Sequence, residues 1–349
     1  MSVDTGRRAA FRGLRSLLAA SVAQGSGAAG DASSRLPPAE ELVNLSEFED
    51  AARLKLDRAA YLSVAGSGDG AFDRLTFRPR VLVSSATLDL TTNLFGLNMF
   101  APLLVGPISQ QRRFHPDGEL ATVKGAEAAQ TVVVVSSRSS EPLARIAAET
   151  KSPLWYQVYP DGDTGAVRDQ MQQAVSAGCK AICITCGDDR SGRPARATRA
   201  RPDWRAISAL QQGIDVPMLL KGILTKQDAK ETIERGLQGM VVSNGGTDQT
   251  PTIDVLSSIV DAVEGKVPVL IDGGFTRGSD VIKALALGAR AVLLGRPVMW
   301  GLAAYGANGV RLVLELVQSE LARIMVVVGR PTVPMIDRSL LRAHRSVGP

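Results

Sequence analysis

Residues 268–297 read PVLIDGGFTRGSDVIKALALGARAVLLGRP, and the fold follows from how this stretch divides. An aliphatic run at 267–271 stops at Asp272-Gly273-Gly274. Residues 280–287 then place apolar side chains at helical spacing. A second aliphatic run at 291–294 stops at Gly295-Arg296-Pro297. Strand, glycine turn, helix, strand and glycine make one βαβ unit. Glycines just past both strand ends let backbone N–H groups close on an anion, and Arg277 and Arg296 add positive charge there.

The same unit repeats upstream. Aliphatic runs at 102–105, 131–135, 154–158, 181–185, 218–220 and 239–243 alternate with helical patterns at 116–129, 141–149, 164–177, 204–212, 225–235 and 253–263, and a last helix is predicted over 309–328. Such even alternation predicts an α/β chain folded as a closed, parallel (β/α)8 TIM barrel; an open doubly wound sheet is the alternative and rarely repeats so evenly. Before the barrel, a helix is predicted over 47–62, an extended stretch over 81–90 and a turn over 93–98. Residues 1–38 are rich in Ala, Gly and Ser and end at Pro37-Pro38, which separates a flexible tail from one domain at 39–349 with an N-terminal helical cap. A barrel gathers its chemistry at the C-terminal ends of its strands. Those ends read Gly106-Pro107-Ile108-Ser109, Ser136-Ser137, Gln157-Val158-Tyr159, Thr185, Lys221, Ser243-Asn244-Gly245-Gly246, Asp272-Gly273-Gly274 and Gly295-Arg296.

Composition narrows the function. The chain has 349 residues with 45% hydrophobic and 4% aromatic content, which fits an aliphatic α/β core. The net charge of +5 concentrates in the tail (Arg7, Arg8, Arg12, Arg15, Arg35) and in the six arginines of 190–205. Neither cluster has the stacking aromatics or the reading helix of a nucleic-acid binder. Cys179, Cys183 and Cys186 have the spacing of an iron–sulfur motif. Cys183, however, falls within a predicted strand, where thiolates do not converge on a cluster. No metal is expected. Gly6-Arg7-Arg8 and the short apolar run after it resemble a twin-arginine export signal, but Arg12 and Arg15 interrupt the pattern. A cytoplasmic protein is the favoured expectation, with export the alternative. No run approaches the roughly 20 apolar residues that span a membrane.

The wording of 271–297 closely resembles the phosphate-binding segment of the FMN-dependent α-hydroxy acid oxidases and dehydrogenases, the glycolate oxidase and lactate oxidase family, and the resemblance runs from about Leu42 to Gly329. It implies an FMN-dependent oxidoreductase with a small-molecule substrate, assembled as a homo-oligomer, by family habit a tetramer. The resemblance also assigns cofactor positions. Pro107 and Ser109 lie where the family's backbone covers the flavin ring, and Ser137, Gln157 and Thr185 where side chains bond its pyrimidine edge and ribityl chain. Lys221 stands near flavin N1, where a cation favours the charge gained on reduction. Ser243 matches as well, and Asp272, Gly273, Gly274, Arg277, Gly295 and Arg296 complete the ribityl and phosphate site. Thr276 departs from the family's usual arginine, and Arg277 beside it can compensate.

The substrate positions depart further. The family's base is the histidine of a Ser-Asn-His-Gly-Gly-Arg-Gln run. Here the run is Ser243-Asn244-Gly245-Gly246-Thr247-Asp248-Gln249, so Gly245 stands for the base and Asp248 for a carboxylate-binding arginine. Pro194, flanked by Arg193 and Arg196, stands for the other arginine, and Ser63 for the cap tyrosine. His115 matches a structural helix start, and His344 lies at the C-terminus. Tyr159 alone remains of the reactive set. Tyr159 and Asp248 are therefore the candidate proton-handling groups, with Asp188 or Asp189 as substitutes. The expectation is an oxidoreductase acting on a different substrate. The alternatives are an ordinary 2-hydroxy acid oxidase using loop arginines, or a catalytically reduced flavoprotein serving as a binding partner.

Overall fold

The computed structural model describes residues 36–66, 70–161, 163–186, 203–245 and 250–343. The tail before Leu36, Gly246 to Gln249 with Asp248 among them, Asp188, Asp189, most of the arginine-rich loop and His344 lie outside the described residues.

Two helices, α1 (Leu45–Lys55) and α2 (Arg58–Val64), stand where the sequence predicts one. The break falls at Leu56-Asp57. Asp57 is extended and its carboxylate accepts from the Ala60 N–H at 2.8 Å, which starts a second helix instead of continuing the first. At α1, Asn44 accepts from the Glu47 N–H while the Glu47 carboxylate accepts from the Val43 N–H. That reciprocal pairing satisfies donors a helix start would leave open. Next comes β1 (Leu75–Phe77). Residues 81–90, predicted extended, form bends and turns with one bridge from Asp89 to Thr332. The turn predicted at 93–98 is the tip of a hairpin, β2 (Thr92–Leu94) and β3 (Leu97–Met99).

The barrel follows. Its strands are β4 (Leu103–Val105), β5 (Val132–Ser136), β6 (Leu154–Val158), β7 (Ile182–Thr185), β8 (Met218–Ile223), β9 (Gly239–Val242), β10 (Val269–Asp272) and β11 (Ala291–Leu294). They alternate with α3 (Gly118–Ala128), α4 (Leu143–Ala148), α5 (Thr164–Ser176), α6 (Trp204–Leu210), α7 (Lys226–Glu234), α8 (Thr252–Val263) and α9 (Gly278–Ala286). After β11 the chain enters α10 (Arg296–Val327), which begins 13 residues before the predicted 309. Tyr305 and Gly306 interrupt it, Gly306 with φ +59° and ψ −137°. β11 pairs with β4 from Val292↔Leu103 to Leu294↔Val105, which closes the ring. Val, Ile and Leu fill these strands because both faces are covered, one by the barrel interior and one by helices. A short β12 (Leu341–Ala343) pairs antiparallel with β1 and ties the end of the described chain to its start.

The lower end of the barrel is plugged by the hairpin. Phe95 stacks against Trp155 with ring centroids 5.8 Å apart. Leu94 and Met99 of the hairpin join Val132, Ala181, Leu219 and Leu270, which lie at or next to the starts of β5, β7, β8 and β10, in one apolar cluster. Each large apolar side chain buried here contributes about 1.5–3 kcal/mol. With that end sealed by hydrocarbon, the opposite end carries the polar groups. No helix among the described residues is long and apolar enough to cross a membrane.

Candidate active site

The floor of the mouth is an ion pair. Lys221, at the end of β8 and 7% exposed, donates from Nζ to Ser243 Oγ at 2.6 Å and to Asp272 Oδ2 at 2.5 Å. Three adjacent strands thus meet at one ammonium. Burial alone pulls the Lys221 pKa down, but the charge and hydrogen bond of Asp272 outweigh it, helped by Cys183 and Tyr159, so the net shift is upward. The lysine stays cationic at neutral pH. Its aim depends on a bulge: the β8–β9 register shifts between Lys221 and Ile223, and Gly222 between them has φ +114°. A Cβ on Gly222 would stand 1.9 Å from the Cys186 carbonyl oxygen, whose own N–H donates to the Lys221 carbonyl at 2.8 Å. Only glycine fits there.

Around the ion pair the mouth presents unsatisfied polarity. Gln157 is buried at the end of β6, and its Oε1 has no hydrogen-bond partner among the described residues; neither has the buried Oγ1 of Thr185 at the end of β7. A buried polar atom left unpaired costs roughly 1–3 kcal/mol, so two at one mouth mark a place for polar groups supplied by a ligand. Ser109 and Ser136 join their hydroxyls at 3.1 Å. Ser136 is the buried member of the Ser-Ser pair, whereas Ser137 is half-buried and donates its N–H to the Gln157 carbonyl. Pro107 sits between β4 and Ser109, half-buried, next to a Gly106 N–H that donates to the Leu294 carbonyl at 2.8 Å.

The anion cradle predicted from 268–297 takes shape at β10 and β11. Gly273 and Gly274 both adopt left-handed backbone, φ +101° and +78°. Thr252 Oγ1 donates to the Asp272 carbonyl at 2.5 Å and holds this turn; its partner is backbone, so no sequence motif marks Thr252. Asp280 receives the N–H groups of Thr276 and Arg277, so Arg277 stands exposed as the N-cap of α9. Gly295 is the N-cap of α10, whose first-turn donors and dipole favour an anion. Arg296 extends from it and donates to the Ala65 carbonyl at 3.2 Å, joining the end of α2 to the cradle.

The remaining predicted residues fall as follows. Tyr159 is half-buried beyond the end of β6, with the Arg138 guanidinium carbon 3.6 Å from its ring centroid. Arg138 was not singled out from the sequence, although a cation directly after the strand-end serines is a readable signal. Gly245 has φ +65° and donates its N–H to Ser243 Oγ at 3.2 Å, and Asn244 donates to the Thr250 carbonyl. His115 accepts the Asp117 N–H on Nδ1 and packs against the α10 kink at Gly306, a structural place. Burial pushes the thiols of Cys179 and Cys183 up to about 12 and that of Cys186 to about 11, so all three are neutral. No metal-binding group occurs among the described residues.

A barrel mouth with a buried cation, unpaired polar atoms and a glycine cradle beside a helix start is the arrangement of a phosphorylated-cofactor enzyme. The pattern of the FMN-dependent dehydrogenases matches residues 65–201 and 189–343. A peroxisomal (S)-2-hydroxyacid oxidase of Arabidopsis thaliana is 34% identical, over 87% of this chain and 98% of its own. An L-lactate oxidase of a Nostoc species is 35% identical, over 86% and 98%. A crystal structure of mandelate oxidase with (S)-2-phenylpropionate superposes with a TM-score of 0.80 at 35% identity, covering 88% of this chain and all of that one. The chain belongs to the FMN-dependent dehydrogenase family. It is an FMN-dependent oxidoreductase, and the mouth fits FMN. The unpaired Gln157 and Thr185 atoms suit the polar edge and hydroxyls of a flavin nucleotide, and the left-handed glycines suit its phosphate.

Proposed function

We propose that this chain is an FMN oxidoreductase of the 2-hydroxy acid oxidase kind whose substrate is not a simple 2-hydroxy acid handled by a histidine base. The observation that carries this is Gly245. It follows Ser243-Asn244 at the end of β9, where the family resemblance expects the base, and it has no side chain to accept a proton. FMN, when bound, supplies the two-electron acceptor. Gln157, Thr185, Ser109 and Ser137 hold its polar edge and chain, Lys221 holds positive charge beside it, and Gly273, Gly274, Arg277, Gly295 and Arg296 receive its phosphate. We assign the handling of a substrate proton to Tyr159, with Asp248 as the second candidate.

Anaerobic mixing with glycolate, L-lactate or L-mandelate, followed by flavin absorbance, tests this. Reduction should be slow or absent, since a positioned general base typically contributes roughly 100- to 10,000-fold. Gly245→His with Asp248→Arg should restore some of it, because φ +65° at residue 245 is a conformation histidine adopts more readily than most residues. Either change alone should restore less, since base and anion anchor act as a unit. Rapid bleaching of the unaltered protein by L-lactate would overturn the proposal.

A further inference from the structure

We infer that Arg138 receives a carboxylate of the substrate at the edge of the barrel mouth formed by β5 and β6. The assignment rests on the reading above that the substrate meets Tyr159. The residue follows Ser136-Ser137 at the end of β5. Its backbone is pinned on both sides: its N–H donates to Ser136 Oγ at 3.2 Å, and its carbonyl accepts the Gln110 N–H at 3.1 Å. The guanidinium lies 3.6 Å above the Tyr159 ring, well inside the range of a cation–π contact. A stacked guanidinium presents its N–H donors edgewise, in the plane that matches a carboxylate.

That edge already holds a carboxylate. Arg138 Nη2 donates to Asp161 Oδ2 at 2.6 Å, with 23% of the arginine side chain and 43% of the aspartate side chain exposed. Asp161 therefore shows what fits there, and an ion pair with a solvent-exposed member is weak enough to be exchanged. The exchange has room. A cavity of about 240 Å³ is walled by Ser137, Arg138, Tyr159, Asp161, Asp163 and Gln170, among other residues. Among the described residues of its wall, Arg138 is the one cation. Asp163 is committed to capping α5, accepting the Ala166 N–H at 2.9 Å. The cavity also borders the barrel mouth, because Ser137 and Tyr159, the residues just past the ends of β5 and β6, belong to its wall. Where the family resemblance expects carboxylate-binding arginines the sequence has Pro194 and Asp248, so Arg138 supplies this recognition from a different strand end.

Calorimetric titration of the full chain with phenylacetate and with phenylacetamide tests the assignment, since the two probes differ in charge and hardly in size. The unaltered protein should prefer the carboxylate. Arg138→Gln should lower that preference roughly tenfold or more, the worth of one charge-assisted pair, and Arg138→Lys should keep part of it. Asp161→Asn should tighten phenylacetate binding by removing the resident competitor. A mere staple between two loops would instead lose stability in Asp161→Asn and leave the preference unchanged. No preference in the unaltered protein, or an equal preference in Arg138→Gln, would overturn the assignment. If Arg138→Gln does not fold, unchanged or weakened phenylacetate binding in Asp161→Asn overturns it on its own. Heat of binding needs no turnover, so failure of the proposed reaction would appear separately, in the flavin absorbance with L-lactate.

Discussion

At the scale of single residues, the mouth is governed by the charge on Lys221. Its ammonium is buried and answered by Asp272 and Ser243, and removing one partner of a buried pair leaves the other uncompensated. Lys221→Met should therefore destabilise the protein by about 3 kcal/mol in denaturant unfolding and weaken FMN binding. The pH dependence has a definite sign. The folded pKa is raised, so the pair's contribution is fully present below the unfolded value of about 10.4 and is lost as pH rises through the folded one. The gap between unaltered protein and Lys221→Met should stay constant from neutral pH to roughly pH 10 and narrow above it. A gap that closes on the acid side would show that another group sets it. Lys221, Gln157, Thr185 and Asp272 were legible in the sequence because each ends an aliphatic run. Arg138 shows in the sequence only as a cation after the strand-end serines; its stack on Tyr159 from the neighbouring strand does not. The proposed part of Asp248 falls outside the described residues.

At the scale of elements, β8 shows what a periodic pattern leaves out. Hydrophobic runs located all eight barrel strands within a few residues, since burial on both faces demands continuous aliphatic sequence. The pattern could not show that β8 carries a bulge, because a lone glycine after a strand lysine reads equally as a loop. The break between α1 and α2 was missed for a related reason: Asp57 caps a new helix without disturbing the apolar spacing. The early start of α10 was hidden by its glycines. Gly301 and Gly309 approach so closely that a Cβ on Gly309 would lie 2.0 Å from the Gly301 carbonyl oxygen, a contact set by packing between the two halves of the helix. The bulge gives a prediction. Gly222→Ala imposes both a left-handed backbone and a clash with Cys186, and should cost more than about 2 kcal/mol and lower FMN affinity by turning Lys221 away. Gly96→Ala, at φ +79° with nothing within 4 Å of the added carbon, should cost only about 1 kcal/mol. Equal losses in the two variants would mean that backbone strain alone, and not the approach of Cys186, fixes the bulge.

At the scale of the molecule, an apolar plug seals one end of the barrel while the other end keeps a buried charge and unpaired polar atoms, so the folded chain is completed by what it binds. A ligand that binds the folded state alone stabilises it by mass action, about 2.7 kcal/mol at a hundredfold excess over its Kd. Stripping FMN should therefore lower the melting temperature, and adding it back at that excess should raise it by something on the order of 5 °C for a chain of this size. Arg296 ties this effect to the cap. Its guanidinium donates to the Ala65 carbonyl at the end of α2, and it stands at the start of α10 where the phosphate is proposed to bind. Arg296→Ala should then do two things together: weaken FMN binding, shrinking the rise in melting temperature on adding FMN, and loosen the end of α2, which Trp300 Nε1 still holds at the Val64 carbonyl, so that limited proteolysis cuts near Ala65 sooner. Arg296→Lys should restore the charge toward the phosphate but not the planar, several-donor reach that serves both partners, and so recover FMN affinity more than protection of α2. If Arg296→Ala left the FMN-dependent rise intact while exposing α2, Arg296 would be a strut of the cap and the phosphate would rest on the glycine amides and Arg277 instead.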